Sequence, residues 1–169
     1  PFDVVMANAR ALISCKAPDS AQAVLSRYGP GPGPRRREWL LLSWRAASAA
    51  LDQERIVLAL MRLADGDPAR LDGEQLVVGV DEQGLPSTRS ALDLLAEAQI
   101  ASGQSEQAVV SLLAGRTPGV IAARRLGLAA ELLSGIEPER SAPLLEAALD
   151  QAAAVQAWNQ AEDLLRLQL

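Results

Sequence analysis

Apolar residues recur at helical spacing along most of the chain, and Gly, Pro and short polar breaks divide the pattern into about nine segments. The first helix is expected over 2–16, with Ala7, Ala11 and Ser14 on one side and Met6, Leu12 and Ile13 nearby. Pro18 reads as a stop, after which Asp19 or Ser20 caps a second helix over 20–28 carrying Ala21, Val24, Leu25 and Tyr28. Residues 29–34 alternate Gly and Pro, which sustain neither a helix nor a ladder, so they read as a linker. A third helix over 35–51 places Trp39, Leu42, Ala46, Ala49 and Ala50 at helical spacing. A fourth over 53–65 aligns Ile56, Leu60 and Leu63 before Gly66 and Pro68. Residues 69–88 fit no helix pair and are expected to form an irregular insertion, with 76–80 either a short strand or part of an extra helix.

Periodicity resumes with a helix over 88–102, capped by Ser87 or Thr88 and broken at Gly103, where a positive φ is allowed. Ser105 opens the next helix, in which Ala108, Val109, Leu112 and Leu113 form one face and which Gly115 and Pro118 end. Three further helices are expected over 119–134, 139–155 and 157–169. The last has Trp158, Ala161 and Leu165 inward and an Asp163–Arg166 pair outside. Composition supports an all-α fold: 49% of the 169 residues are apolar, yet only Phe2, Tyr28, Trp39, Trp44 and Trp158 are aromatic. The core is therefore built from Leu, Ala, Val and Ile, with Ala permitting close helix approach.

The clearest unit reads Leu92-x2-Leu95-Ala96-x2-Gln99, then Gly103, then Ala108-x3-Leu112. It resembles the tetratricopeptide repeat, a helix-turn-helix of about 34 residues with small residues where its two helices touch. A second unit opens with Trp39-x2-Leu42-Ser43-x2-Ala46 and closes at Pro68, and a weaker one surrounds Ala7, Ala11 and Ala23. At the C-terminal end two registers compete: Leu126-x2-Ala129-Ala130 with Ala142, and Leu145-x2-Ala148-Leu149 with Trp158 and Ala161-x3-Leu165. The resemblance implies a right-handed α-hairpin array, a tetratricopeptide-like α-solenoid of about nine helices in one helical-repeat domain over 1–169. Another kind of α-hairpin array is the rival. A chain that starts at Pro1 and stops inside a helical run reads as a piece of a longer protein.

Charge and chemistry narrow the function classes. Residues 1–70 hold 10 Arg and Lys against 7 Asp and Glu, whereas 71–169 hold 6 against 14. Net charge is −5, so nucleic acid is not an expected partner. There is no His and only one Cys, Cys15, expected as a small core residue. No metal site, cofactor or catalytic residue is expected, and the chain does not read as an enzyme. Asp52/Glu54 and Asp81/Glu82 read as helix-start or turn residues, and Arg35–Arg37 as a solvated run. No apolar stretch is long enough for a membrane span, and a soluble, cytoplasmic setting is expected. By resemblance, the first helix of each unit lines a concave surface carrying Asn8, Lys16, Glu38, Arg45, Asp93, Glu97, Arg124 and Glu131. Such a mixed-charge groove suits a peptide or protein segment. The expected function is a protein–protein interaction or scaffold module. The alternative is a structural or dimerising domain of a larger regulatory or catalytic protein, with a homodimer as its form.

Overall fold

The computed structural model describes residues 1–168 and divides into two compact units, Pro1–Asp67 and Pro68–Leu169. Among the described residues there are nine α-helices and one small two-stranded sheet, so the chain is mostly helical.

The first unit contains α1 (Phe2–Ser14), α2 (Pro18–Ser26), α3 (Pro34–Ala49) and α4 (Gln53–Leu63). α1 packs on α2 and α3, α2 on α3, and α3 on α4. Phe2, Met6, Ala9, Ala21, Leu25, Leu42 and Ala46 form the core, with Val5, Leu12, Ile13, Val24, Tyr28 and Trp39 packed against it. Three expectations are corrected here. Ala7, Ala11 and Ser14 are exposed, because α1 turns its larger apolar side chains, Phe2 and Met6, inward and gains more buried area that way. Cys15 is exposed, as it follows the last turn of α1 rather than lying on its buried face. Pro18 begins α2 instead of preceding it, since the first helical residue has no intrahelical use for an N–H. Asp52 caps α4, its Oδ1 accepting from the Arg55 amide at 3.1 Å.

The second unit opens with a 3-10 turn, Pro68–Leu71, followed by β1 (Gln75–Val80) and β2 (Pro86–Ser90). These pair antiparallel, Gln75 opposite Ser90 and Val80 opposite Pro86, with a register shift between Val77 and Gly79. Asp81 Oδ1 organises the connecting loop by accepting from the amides of Gln83 and Leu85. Residues 88–90, expected to start a helix, instead complete β2. Then follow α5 (Ala91–Ala101), α6 (Ser105–Ala114), α7 (Val120–Ser134), α8 (Pro138–Ala154) and α9 (Trp158–Arg166). Each packs on its neighbour, and α7 also meets α9. The expected end of the last helix at 169 lies outside the described residues.

The signature positions of the 92–112 hairpin are all buried: Leu92, Leu95, Ala96, Gln99, Ala108 and Leu112. Its one polar member is satisfied, because Ser111 Oγ donates to Gln99 Oε1 at 2.7 Å. In α9 the inward residue is Leu164, whereas Trp158 and Leu165 are exposed. Leu164 takes this role because Gly127 on α7 leaves room for it: a Cβ there would stand 2.5 Å from Leu164 Cδ2.

Four helix-helix turns share one geometry. Lys16, Leu51, Gly103 and Gln156 each have φ between 56° and 78°. The next amide, from Ala17, Asp52, Gln104 and Ala157, donates to Leu12, Ala47, Gln99 and Ala152 at 2.7–3.0 Å. This is the Schellman arrangement, which satisfies carbonyls left open at a helix end. The α7–α8 turn differs: Gly135 has φ −90°, and the Glu137 amide reaches Leu133 O. By turn geometry the α8–α9 hairpin therefore matches α1–α2, α3–α4 and α5–α6. Ala142, reached by the competing register, is exposed.

Candidate functional site

Two constructions stand out, one in each unit. In the first, α2, α3 and α4 line an open cleft of about 370 Å³. Leu25, Trp39, Leu40, Leu58 and Ala59 give it apolar walls, and Gln22, Ser26, Ser43, Arg55 and Arg62 bring polar groups. The wall is locked in place. Trp39 Nε1 donates to Leu25 O at 3.1 Å, tying α3 to the end of α2, and Ser43 Oγ donates to Trp39 O at 2.8 Å. On α4 the contributing residues are Arg55, Leu58, Ala59 and Arg62. Their spacing of three, four and seven residues sets them on one helix face. Arg55 Nε lies 3.5 Å from Asp52 Oδ2.

Gln22 is the unusual member of this cleft. It is only 8% exposed, and neither Nε2 nor Oε1 has a hydrogen-bond partner. A buried primary amide left unpaired costs about 1–3 kcal/mol.

In the second unit a buried ion cluster gathers around Arg125 of α7, which is 3% exposed. Its Nε reaches Asp93 Oδ1 at 2.7 Å, Nη1 reaches Asp72 Oδ1 at 2.7 Å, and Nη2 donates to Ser90 Oγ at 3.0 Å. Asp72 also accepts from the Arg116 amide at 2.6 Å and from the Thr117 amide and hydroxyl at 3.0 and 2.9 Å. Burial by itself pushes the Asp72 carboxyl up, but these bonds, led by that from Arg125, outweigh it and lower it to about 2. Desolvation pulls the Arg125 guanidinium down, yet the hydrogen bonds it donates to Asp93 and Asp72 raise it overall. Every polar atom of the cluster faces another, so it ties the 3-10 turn, the end of β2, α5 and the α6–α7 connection together. That is the work of a clamp rather than of an open site.

The residues assigned to a concave surface fall as follows. In the first unit Asn8 on α1, Lys16 in the turn, and Glu38 and Arg45 on α3 are exposed, and Glu38 is ion-paired with Arg10. In the second unit Asp93 and Arg124 meet at 2.6 Å, Glu97 pairs with Arg89, and Glu131 is exposed. None of the eight lines the α2–α3–α4 cleft. The sequence pattern missed Gln22, Asp72 and Arg125. Gln22 sits between Ala21 and Ala23 like any surface glutamine, and Asp72 lies 53 residues from Arg125 with no periodic signal. Among the described residues no cluster of three or more His, Cys, Asp or Glu has the geometry of a metal site, and no helix is long and apolar enough to cross a membrane.

No family model matches the chain, and no curated protein or solved structure shows significant similarity to it.

Proposed function

We propose that this chain is a protein-interaction module, built from tetratricopeptide-like α-hairpins in succession, which receives a peptide segment of a partner in the α2–α3–α4 cleft. The observation that carries the reading is the cleft itself, where apolar walls from Leu25, Trp39, Leu40, Leu58 and Ala59 stand beside the polar groups of Ser26, Ser43, Arg55 and Arg62. An apolar side chain of that peptide fills the space between Leu40, Leu58 and Ala59, and the flanking polar groups orient it. The four common turns support the hairpin-array part of the reading, since they give successive hairpins a similar local form.

Selection of a phage-displayed random heptapeptide library against the immobilised protein tests it. Enriched peptides are expected to bind wild type and to lose at least tenfold in affinity on Leu58→Glu, a substitution at a half-exposed cleft position. Equal binding to both proteins overturns the cleft as the working surface.

One observation favours a second reading, a dimerising domain. The β1–β2 hairpin exposes Val77, Val78, Val80 and Leu85, and among the described residues its strands pair only with each other. Sedimentation equilibrium of wild type against Val77→Lys/Val80→Lys decides it: a dimer that the double variant dissociates is its expected signature.

A further inference from the structure

We propose that the free edge of β1 takes up a third strand from a partner protein, an extended, β-branched and uncharged run of about five residues with lysine or arginine at the end that lies beside Asp81 and Glu82. This surface belongs to the second unit and stands whether or not the α2–α3–α4 cleft holds a peptide.

The two strands of the hairpin differ as edges. β2 carries Pro86 and Arg89, residue types that close an edge to further pairing. It is also fastened to the helices: Arg89 is ion-paired with Glu97 of α5, and Ser90 Oγ accepts from Arg125 of α7 at 3.0 Å. β1 has neither proline nor charge between Gln75 and Val80. Leu76 is its one buried side chain, and Val77, Val78 and Val80 are exposed. In an antiparallel ladder, alternate residues turn their N–H and C=O groups away from the partner strand. Among the described residues, no backbone bond outside the ladder with β2 reaches Leu76 to Val80, so the outward groups of β1 have no backbone partner. A row of donors and acceptors at strand spacing is met by another extended backbone. A helix cannot meet it, because its own backbone groups are already bonded. A third strand also brings the hairpin to the size at which a sheet becomes stable in water.

Charge then decides whose strand it is. From Leu71 to Thr88 the chain has four carboxylates, Asp72, Glu74, Asp81 and Glu82, and no basic residue. Asp72 is held by Arg125, whereas Asp81 and Glu82 are exposed directly after Val80. The second unit as a whole holds seven Arg and Lys against fourteen Asp and Glu. Antiparallel pairing, the more stable kind per residue, brings the N-terminal end of an incoming strand to Asp81 and Glu82, where a cation is attracted. A second copy fits this edge less well. β1 laid antiparallel on β1 over its full length sets Glu74 of each chain opposite Asp81 of the other, a like-charge pair at both ends. A lipid surface fits no better, since two carboxylates stand between Val80 and Leu85 and the headgroups of anionic lipids repel them.

The test uses the whole chain and three acetylated, amidated heptapeptides. Lys-Lys-Val-Thr-Val-Thr-Val is the probe, Glu-Glu-Val-Thr-Val-Thr-Val the charge control, and Lys-Lys-Val-Thr-Pro-Thr-Val the control whose proline interrupts the ladder. Calorimetry reads affinity, and the 15N-resolved amide signals of Leu76–Val80, with their hydrogen exchange, read the place. The probe is expected to move these signals, to slow their exchange and to bind at least tenfold more tightly than either control, with an affinity that falls as salt is added. Val80→Lys, at an exposed edge position, is expected to melt as wild type does and to lose at least tenfold in affinity for the probe. Glu82→Lys is expected to lose about threefold, as an exposed ion pair would. Leu58→Glu, which disables the cleft, is expected to bind the probe as wild type does; loss of binding there would put the probe in the cleft and overturn the β1 assignment. Equal affinity of the Lys and Glu peptides overturns the basic partner, and equal affinity of the proline peptide overturns strand addition. A dimer in sedimentation equilibrium that Val80→Lys dissociates, with Leu76–Val80 already protected in the free chain, gives the edge to a second copy and overturns the inference. If no peptide moves the β1 signals the inference fails, while the library selection still decides the cleft reading by itself.

Discussion

Arg125 keeps its charge at 3% exposure because two carboxylates and a serine hydroxyl receive its guanidinium. Removing a partner from such a group strands a charge away from water, and this cost exceeds the net worth of the pair itself. Asp72→Asn is expected to destabilise the second unit by about 2–4 kcal/mol in urea titration. The cluster also sets an acid limit. The Asp72 carboxyl lies at about 2 in the folded chain against 3.8 for an ordinary aspartate, so the unfolded state binds its proton first. Its contribution is complete above the unfolded value and is lost as pH falls from about 4 towards 2. Acid titration followed by circular dichroism should show that loss, and Asp72→Asn should remove this part of the slope. Ala108 marks the opposite kind of residue, one legible from the sequence: a small side chain where two helices touch, and fully buried. Ala108→Arg leaves no space for the new side chain and is expected to cost more than about 3 kcal/mol, measured by the same denaturation. Little change in the midpoint would mean that the α5–α6 contact does not depend on this position.

At the scale of elements, the turns carry the information that helix periodicity lacks. Three of the four left-handed turn residues are Lys16, Leu51 and Gln156, none of which signals a positive φ in a sequence. Only Gly103 does. An L-residue in this region costs about 1–2 kcal/mol, which glycine avoids at some expense in unfolded-chain entropy. Leu51 is 77% exposed, so its side chain adds little to the core. Leu51→Gly is therefore expected to stabilise the first unit by about 0.5–1 kcal/mol, a shift visible in its denaturation midpoint. Destabilisation would show that the leucine makes contacts which its exposure hides. The strand at 86–90 was illegible for a related reason. Ser87 and Thr88 suit a helix cap and a strand equally, and pairing with β1 decides between them.

At the scale of the whole chain, two compact units meet in sequence between Asp67 and Pro68 and differ in charge and in what stabilises them. The first holds a core of larger side chains, with Phe2 and Tyr28 rings 5.9 Å apart and the Arg35 guanidinium 5.3 Å from the Phe2 ring. The second combines Ala-rich helix contacts with the buried ion cluster. Acid should therefore act unevenly. Hydrogen exchange measured at pH 3 against pH 6, corrected for intrinsic rates, is expected to lose protection in α5 and α7 before α1 and α3. Uniform loss would mean that the Asp72 cluster does not govern the acid response.

The order of hydrophobic and polar residues by itself determined that the chain is mostly helical, roughly where each helix lies, and which face of the 92–112 hairpin is buried. Those properties follow from local spacing and from the small volume of alanine. The sequence could not locate the cleft, the stranded amide of Gln22, or the Asp72–Arg125 contact. Each depends on residues brought together from distant positions, and only packing settles whether a polar side chain finds water, an ion partner or neither.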